Sequence, residues 1–324
     1  MNSSLDSKLE KYLNLFWLRP ENALFSTFKS KAYEQLKFES PSLDLSCGDG
    51  LFQAIHLGGT FENNYDYYES TNANNFSHEK FVDIYDQYDP RYEVKYTNKP
   101  KIKIDYGTDW KQALLNKAEK TGIFKNLILH DNNNLPLPFN DNYFKTIYSN
   151  AIYWIDNVDK LVSEIFRITQ PNGTVGLEVM TPYLFQTLEN LEEDFSEKGI
   201  SILDRQRRAT MPGLKKYDEW KNIFENAGFK IEDVISVIPN KRIVDIWNIG
   251  LRPISHLLIK MSKSFPLEER IKVKKEWVNI FYELFKPLLY IKENIPIEKI
   301  RIYLFSLKKR MIHKIFGKNK NHIK

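Results

Sequence analysis

Apolar side chains recur at three- and four-residue spacing in Leu9, Tyr12, Leu13, Phe16 and Trp17, the period of a helix that buries one face. Arg19-Pro20-Glu21-Asn22 interrupts that period and Ala23 to Leu36 resumes it, so residues 1–41 are expected to form a helical entry segment or lid. From Ser42 the pattern changes. A short apolar run, Leu43-Asp44-Leu45, meets a turn containing Gly48 and Gly50 and passes into Leu51-Phe52-Gln53-Ala54-Ile55, which reads as strand, tight turn and helix. Residues 59–100 are rich in Asn, Tyr and Asp and follow neither period. That is too long for an ordinary connection and reads as an insertion.

Strand and helix signals then alternate. Strands are expected over 101–106, 127–131, 144–150, 173–180 and 230–238, with helices over 110–120, 158–169 and 217–227, the last capped by Gly228. A helical block occupies 241–296, where Trp277, Phe281, Leu284, Phe285 and Leu288 mark one apolar face and Pro287 should end or bend the helix. A final strand, 300–307, lies within 297–310, followed by a tail, 311–324. With the strand at Ser42 this gives seven strands. The fold class expected is α/β, a Rossmann-like, doubly wound seven-stranded sheet with helical additions, its core spanning 42–240.

Composition narrows the picture. At 324 residues and 42% hydrophobic content the chain can bury a large core, and no run approaches the roughly 18 apolar residues of a membrane span. The formal charge is +5, but seven basic residues from Lys308 onward meet no acid, leaving −2 for the remainder. A basic groove for nucleic acid is therefore not expected. One cysteine and six histidines show no metal-ligand spacing, so no metal is expected. The start of the chain lacks a basic, then apolar, leader, and a soluble cytoplasmic protein is expected.

Candidate chemistry gathers at the expected strand ends. Small residues in the turn after the first strand let a backbone approach a ligand. Asp105 is read as the acid ending the second strand, where a carboxylate can accept hydrogen bonds from two ribose hydroxyls. His130-Asp131-Asn132 ends the third strand, where a carboxylate or amide can read an adenine amino group; equally, Asp131 or Asn132 can cap a turn. Cys47 reads as a small filler of the turn, and Tyr148, Tyr153 and Trp154 either pack or shape an acceptor pocket.

Leu43-Asp44-Leu45-Ser46-Cys47-Gly48-Asp49-Gly50 resembles the first motif of class I S-adenosylmethionine-dependent methyltransferases. Leu135 to Phe139 with Asp141-Asn142-Tyr143-Phe144 resembles a stretch of their type 11 branch. Ser163 to Gly173 and Trp220 to Phe229 resemble its later helix and turn motifs, in the family's order. The sequence departs at Ser46, where the family has glycine, and at Asn172, in the Pro-Gly-Gly turn. Serine suits such a turn if its φ stays negative, whereas Asn tolerates left-handed geometry.

The resemblance implies an S-adenosyl-L-methionine cofactor at the C-terminal edge of the sheet. Asp44 would fix the turn, and the backbone of Ser46, Cys47, Gly48 and Gly50 would face the methionine portion. Asp105 would hold the ribose, Asp131 and Asn132 the adenine, and Ser149 and Asn150 the floor beside the sulfonium. It implies an enzyme moving a methyl group to oxygen or nitrogen of a small-molecule, glycan or lipid-linked acceptor, with no catalytic base assigned. Two further readings stand beside it. One is a non-catalytic binding or scaffold protein on a degenerate core; the other adds a membrane-surface contact through the basic tail.

Overall fold

A computed structural model describes residues 4–69, 71 and 87–310. In chain order the elements are α1 (Ser4–Leu15), α2 (Pro20–Ala32), β1 (Ser42–Leu45), α3 (Leu51–His56), β2 (Thr60–Phe61), β3 (Tyr96–Asn98), β4 (Ile104–Asp109), α4 (Gln112–Thr121), β5 (Phe124–Leu129) and β6 (Phe144–Ser149). Then follow α5 (Val158–Ile168), β7 (Thr169–Met180), α6 (Gln186–Leu191), α7 (Glu197–Asp204), α8 (Tyr217–Asn226), β8 (Phe229–Ser236), α9 (Lys241–Ile249), α10 (Ser255–Lys263), α11 (Leu267–Phe285) and β9 (Ile302–Lys309).

Seven strands form one sheet in the order β5-β4-β1-β6-β7-β9-β8. All neighbours are parallel except β9, which runs antiparallel to both β7 and β8. The chain winds outward from β1 through β4 to β5, then returns to β6 on the other side of β1. Such a reversal opens a crevice beyond the carboxyl ends of the two central strands. The expected α/β Rossmann-like sheet is the one observed.

Side-chain alternation along the strands builds two cores. Leu43, Leu45, Ile147, Val175, Leu177 and Val179 face α5 and α8, meeting Leu161, Ile165, Trp220 and Phe224. The opposite face presents Tyr148 and Met180 to α1, α2, α3 and α9, through Leu13, Trp17, Leu24, Phe28, Leu51 and Val244. The N-terminal helices are thus a packed layer of the fold. Between β1 and β4 the insertion contributes β2 and β3, which pair antiparallel with Thr60 opposite Asn98. Of the expected insertion 59–100, Ser70 and residues 72–86 lie outside the described residues, as does the tail 311–324.

Two expectations need correction. The second sheet strand runs over 104–109, not 101–106. Gly107 interrupts the apolar alternation because there is no room for a side chain: a Cβ there would lie 2.9 Å from the Phe124 ring and 3.0 Å from Cys47 Sγ. In the helical block, Leu284 does not join the buried face of Trp277, Phe281, Phe285 and Leu288; it is 60% exposed. The helix ends at Phe285, two residues before Pro287, whose missing N–H and ring prevent its continuation.

Candidate active site at the carboxyl edge of the sheet

The loop after β1 turns on three left-handed residues, Ser46 (φ +66°), Gly48 (φ +60°) and Gly50 (φ +73°). Ser46 therefore adopts the conformation that favours glycine, and does not keep the negative φ on which its fit to the turn is conditioned. Its hydroxyl accepts a hydrogen bond from Asn132 Nδ2 at 2.7 Å, which ties the loop after β1 to the loop after β5. Asn172, in the second glycine-replaced turn, is also left-handed at φ +62°, as its short amide side chain allows.

The neighbouring strand pins the same loop. Cys47 N–H donates to the Thr108 carbonyl at 2.7 Å, and Gly48 N–H donates to Asp109 Oδ2 at 3.0 Å. Asp109 ends β4, is buried, and accepts a second backbone hydrogen bond from Lys111 N–H at 3.0 Å on its other oxygen. Burial raises its carboxyl above the ordinary value, against the lowering effect of the Lys111 and Gly48 donors. Each of its oxygens has a further lone pair.

Asp105 lies at the opposite end of β4. Its Oδ2 accepts from Ser42 N–H at 2.8 Å and Ser42 Oγ at 3.0 Å, and Lys125 Nζ sits 2.6 Å from Oδ1. Burial pushes its carboxyl upward, but Lys125, Ser40 and Ser42 hydrogen-bond the charged form and leave it below the ordinary range. The acid expected at the ribose position is therefore a staple of the amino edge. The acid at the carboxyl edge is Asp109, which sequence reasoning missed. A signal existed: Asp109 is the last acid before the helix expected at Trp110.

Asp44, between the two inward leucines of β1, points to the α3 side, where Gln53 hydrogen-bonds it. Burial holds its carboxyl well above the usual range, and Oδ2 has no partner. Asn132 is buried at 4% exposure with Oδ1 unpartnered. Asp131 is turned to its own loop, accepting from Asn133 N–H at 2.9 Å. Ser149 Oγ donates to the Leu45 carbonyl at 2.7 Å and so clamps β6 to β1 at the crevice, with half-buried Asn150 next to it. Thus Ser46, Cys47, Gly48, Gly50, Asn132, Ser149 and Asn150 share one edge with Asp109, and Asp105 does not.

A second feature went unread in the sequence. Glu178 of β7 is fully buried on the face covered by α2, with Lys29 Nζ 2.6 Å from Oε1 and the Tyr33 hydroxyl donating to Oε2. Burial alone would lower the Lys29 pKa; the Glu178 charge overrides it and raises the pKa above its ordinary value. The Tyr33 ring meets Tyr148 edge-on at 4.7 Å. A lone acid in a strand covered on both faces was the available signal.

Residues 95–177, about a quarter of the chain, match the family model described as a methyltransferase domain. The match runs from β3 into β7 and begins after the glycine-containing loop. No curated protein matches the chain. Among solved structures, an S-adenosylmethionine-dependent methyltransferase from Thermotoga maritima is 14% identical, with a TM-score of 0.47 over 88% of this chain and 89% of that one. One from Mesorhizobium loti is 14% identical, with a TM-score of 0.44 over 87% and 98%. The [4+2]-cyclase SpnF is 13% identical, with a TM-score of 0.44 over 88% and 82%. At such scores the fold assignment rests on the strand order itself.

Proposed function

We propose that this chain, which carries a methyltransferase domain of the S-adenosylmethionine-dependent kind, methylates oxygen or nitrogen of a small-molecule, glycan or lipid-linked acceptor. The observation that carries the reading is the meeting of Asp109 and Gly48 N–H at the carboxyl end of the central strands. The residues there suit an adenosyl cofactor. A Cβ placed on Gly48 would have nothing within 4 Å, so the loop backbone borders open space. Asn132 keeps a buried acceptor oxygen unpartnered, and an adenine amino group is a donor of the required kind.

Asp109 would accept from the ribose hydroxyls, the Ser46–Gly50 backbone would face the methionine portion, and Ser149 and Asn150 would floor the sulfonium. Bound S-adenosylmethionine supplies a methyl group on cationic sulfur, already electrophilic. The protein's part is then to align and to exclude water, which is worth several kcal/mol of barrier. Asp109 contributes by fixing the loop and the ligand with one carboxylate. The clamp from Ser149 to Leu45 holds β1 and β6, and therefore both sides of the crevice, in register.

The acceptor class rests on the shape of the additions. Both β7 and β8 run toward this edge, and the chain continues from β7 into α6 and α7 and from β8 into α9, α10 and α11. A slightly acidic body with helical additions that follow strands ending at this edge suits a compact acceptor better than a nucleic acid. Transfer of a labelled methyl group to fractionated extracts tests it. Label is expected in low-mass or glycolipid fractions; label confined to nucleic acid or protein refutes the acceptor class. No helix among the described residues is long and apolar enough to cross a membrane, and among them no cluster of three His, Cys, Asp or Glu could hold a metal ion.

A further inference from the structure

The insertion between α3 and β4 meets the first half of α11 and leaves a cavity of about 260 Å³ there. Asn64, Asp66, Tyr92, Glu93 and Lys95 line it from the insertion, and Leu267, the first residue of α11, lines it from the helix. Two buried cations of α11 hold the wall in place. Lys274 Nζ donates to the carbonyls of Tyr65 (2.5 Å) and Asn63 (3.4 Å), and Arg270 Nε lies 2.8 Å from Asp66 Oδ2.

The wall keeps hydrogen-bonding capacity in reserve. Asp66 is 6% exposed, and its Oδ1 accepts from Trp17 Nε1 at 3.0 Å and Tyr68 N–H at 3.1 Å. Its Oδ2 makes no hydrogen bond, because Arg270 approaches it outside hydrogen-bond geometry. The side chains of Asn64, Glu93 and Lys95 have no partner among the described residues. Arg91 and Asp89, by contrast, are joined to each other by hydrogen bonds of 3.0 and 2.7 Å. A buried acceptor left open at a cavity wall is where a donor in the cavity gains most.

Charge selects the kind of donor. Asp66, Glu69, Asp89 and Glu93 bring four negative charges to the cavity. Arg91, Lys95, Arg270, Lys274 and, on the Thr71 carbonyl, Lys263 bring five positive ones. The two signs nearly cancel, so neither an ammonium nor a carboxylate gains from the field of the whole cavity. Hydroxyl groups suit it, since one neutral ligand can donate to Asp66 Oδ2 and Glu93 and accept from Lys95 and Asn64 Nδ2. Small-molecule sites run to roughly 300–1,000 Å³, and a cavity just below that range takes one ring-sized unit.

We propose that this cavity binds one neutral sugar ring, and that the ring belongs to the methyl acceptor. The cavity wall is tied to the glycine-containing loop through its own turn, where the Tyr67 hydroxyl donates to Asp49 Oδ2 at 3.0 Å. Tyr65 and Tyr92 pair through their hydroxyls at 2.8 Å within the field of the same carboxylate. A sugar held here keeps the acceptor beside the loop that faces the cofactor, and its binding energy goes into orientation. The acceptor role rests on the methyltransferase reading; the sugar site does not.

The test uses the full chain and saturation-transfer NMR. Glucose and N-acetylglucosamine are the neutral sugars, glucosamine and glucuronate the charged ones, and glycerol controls for non-specific contact. The neutral sugars should receive transfer and glycerol none. Glu93→Ala and, separately, Asn64→Ala should weaken their binding about tenfold. Both side chains are exposed, so melting temperature and S-adenosylhomocysteine affinity should stay at the parent's values. Transfer to the neutral sugars no greater than to glycerol, or binding unchanged in both variants, overturns the site. Binding of glucosamine or glucuronate alone overturns its neutral class. In the labelled-methyl assay, Glu93→Ala should raise KM for the sugar-bearing acceptor fraction and leave kcat near the parent's; an unchanged KM overturns the acceptor role. If neutral sugars bind but S-adenosylhomocysteine does not, the methyltransferase reading fails and the sugar site stands.

Discussion

Ser46 offers a direct probe of the loop, because two substitutions there separate backbone conformation from hydrogen bonding. Its φ of +66° costs a non-glycine residue about 1–2 kcal/mol relative to glycine. Its hydroxyl accepts the Asn132 amide at 2.7 Å, and losing that bond costs about 1 kcal/mol, or up to about 3 if the buried amide is left unsatisfied. Ser46→Ala loses the bond and keeps the strain. Ser46→Gly loses the same bond and relieves the strain, less about 0.4–1 kcal/mol for the greater freedom of the unfolded chain. Ser46→Gly should therefore be more stable than Ser46→Ala by about 1 kcal/mol, the reverse of the usual order of alanine and glycine within a regular element. Ser46→Ala should be less stable than the parent by about 1–3 kcal/mol, and Ser46→Gly by about 0–2 kcal/mol. Urea unfolding at neutral pH measures the difference, and melting temperatures should separate by about 2 °C in a chain of this size. An alanine variant as stable as the glycine variant, or more so, would refute the left-handed turn.

Other elements give independent tests. His56 is half-buried beside Ser30, and desolvation, reinforced by the Lys8 charge, lowers its pKa to about 4 from 6.5. The unfolded chain then binds the proton first, so stability should be full above pH 6.5 and fall by about 3 kcal/mol as pH drops toward 4. Urea midpoints across that window should show the loss, with a flatter profile in His56→Asn. Glu178→Ala should cost about 3–5 kcal/mol by leaving Lys29 buried without its counter-charge. The paired change Lys29→Met with Glu178→Leu should cost less than the single one, and equal losses would refute a coupled pair.

Much of the fold was legible because its signals are local. Alternation in Val175-Gly176-Leu177-Glu178-Val179 and the amphipathic period of 158–168 are written into neighbouring residues. So were the loop after β1 and its meeting with Asn132 and Ser149, since strand ends in a doubly wound sheet converge. What failed was register. Ile102 and Ile104 imitate the alternation of a strand, whereas Gly107-Thr108-Asp109 hides its strand character behind the need to admit Phe124 and Cys47. That displacement moved the expected ribose acid to the opposite end of β4. Contacts at long range left no local trace either: Lys29 finds Glu178 across the fold, and Arg205-Gln206-Arg207-Arg208 looks like a solvated basic run until α9 closes over it.

The central claim is that Asp109, not Asp105, holds the adenosyl ligand at the carboxyl edge. Calorimetric titration of S-adenosylhomocysteine into the parent, Asp109→Ala and Asp105→Ala tests it most directly. Two hydrogen bonds to a charged acceptor, each worth about 1.5–3 kcal/mol, predict affinity at least 100-fold weaker in Asp109→Ala and within about twofold of the parent in Asp105→Ala. Binding lost in Asp105→Ala but kept in Asp109→Ala, with both variants folded, would contradict the account.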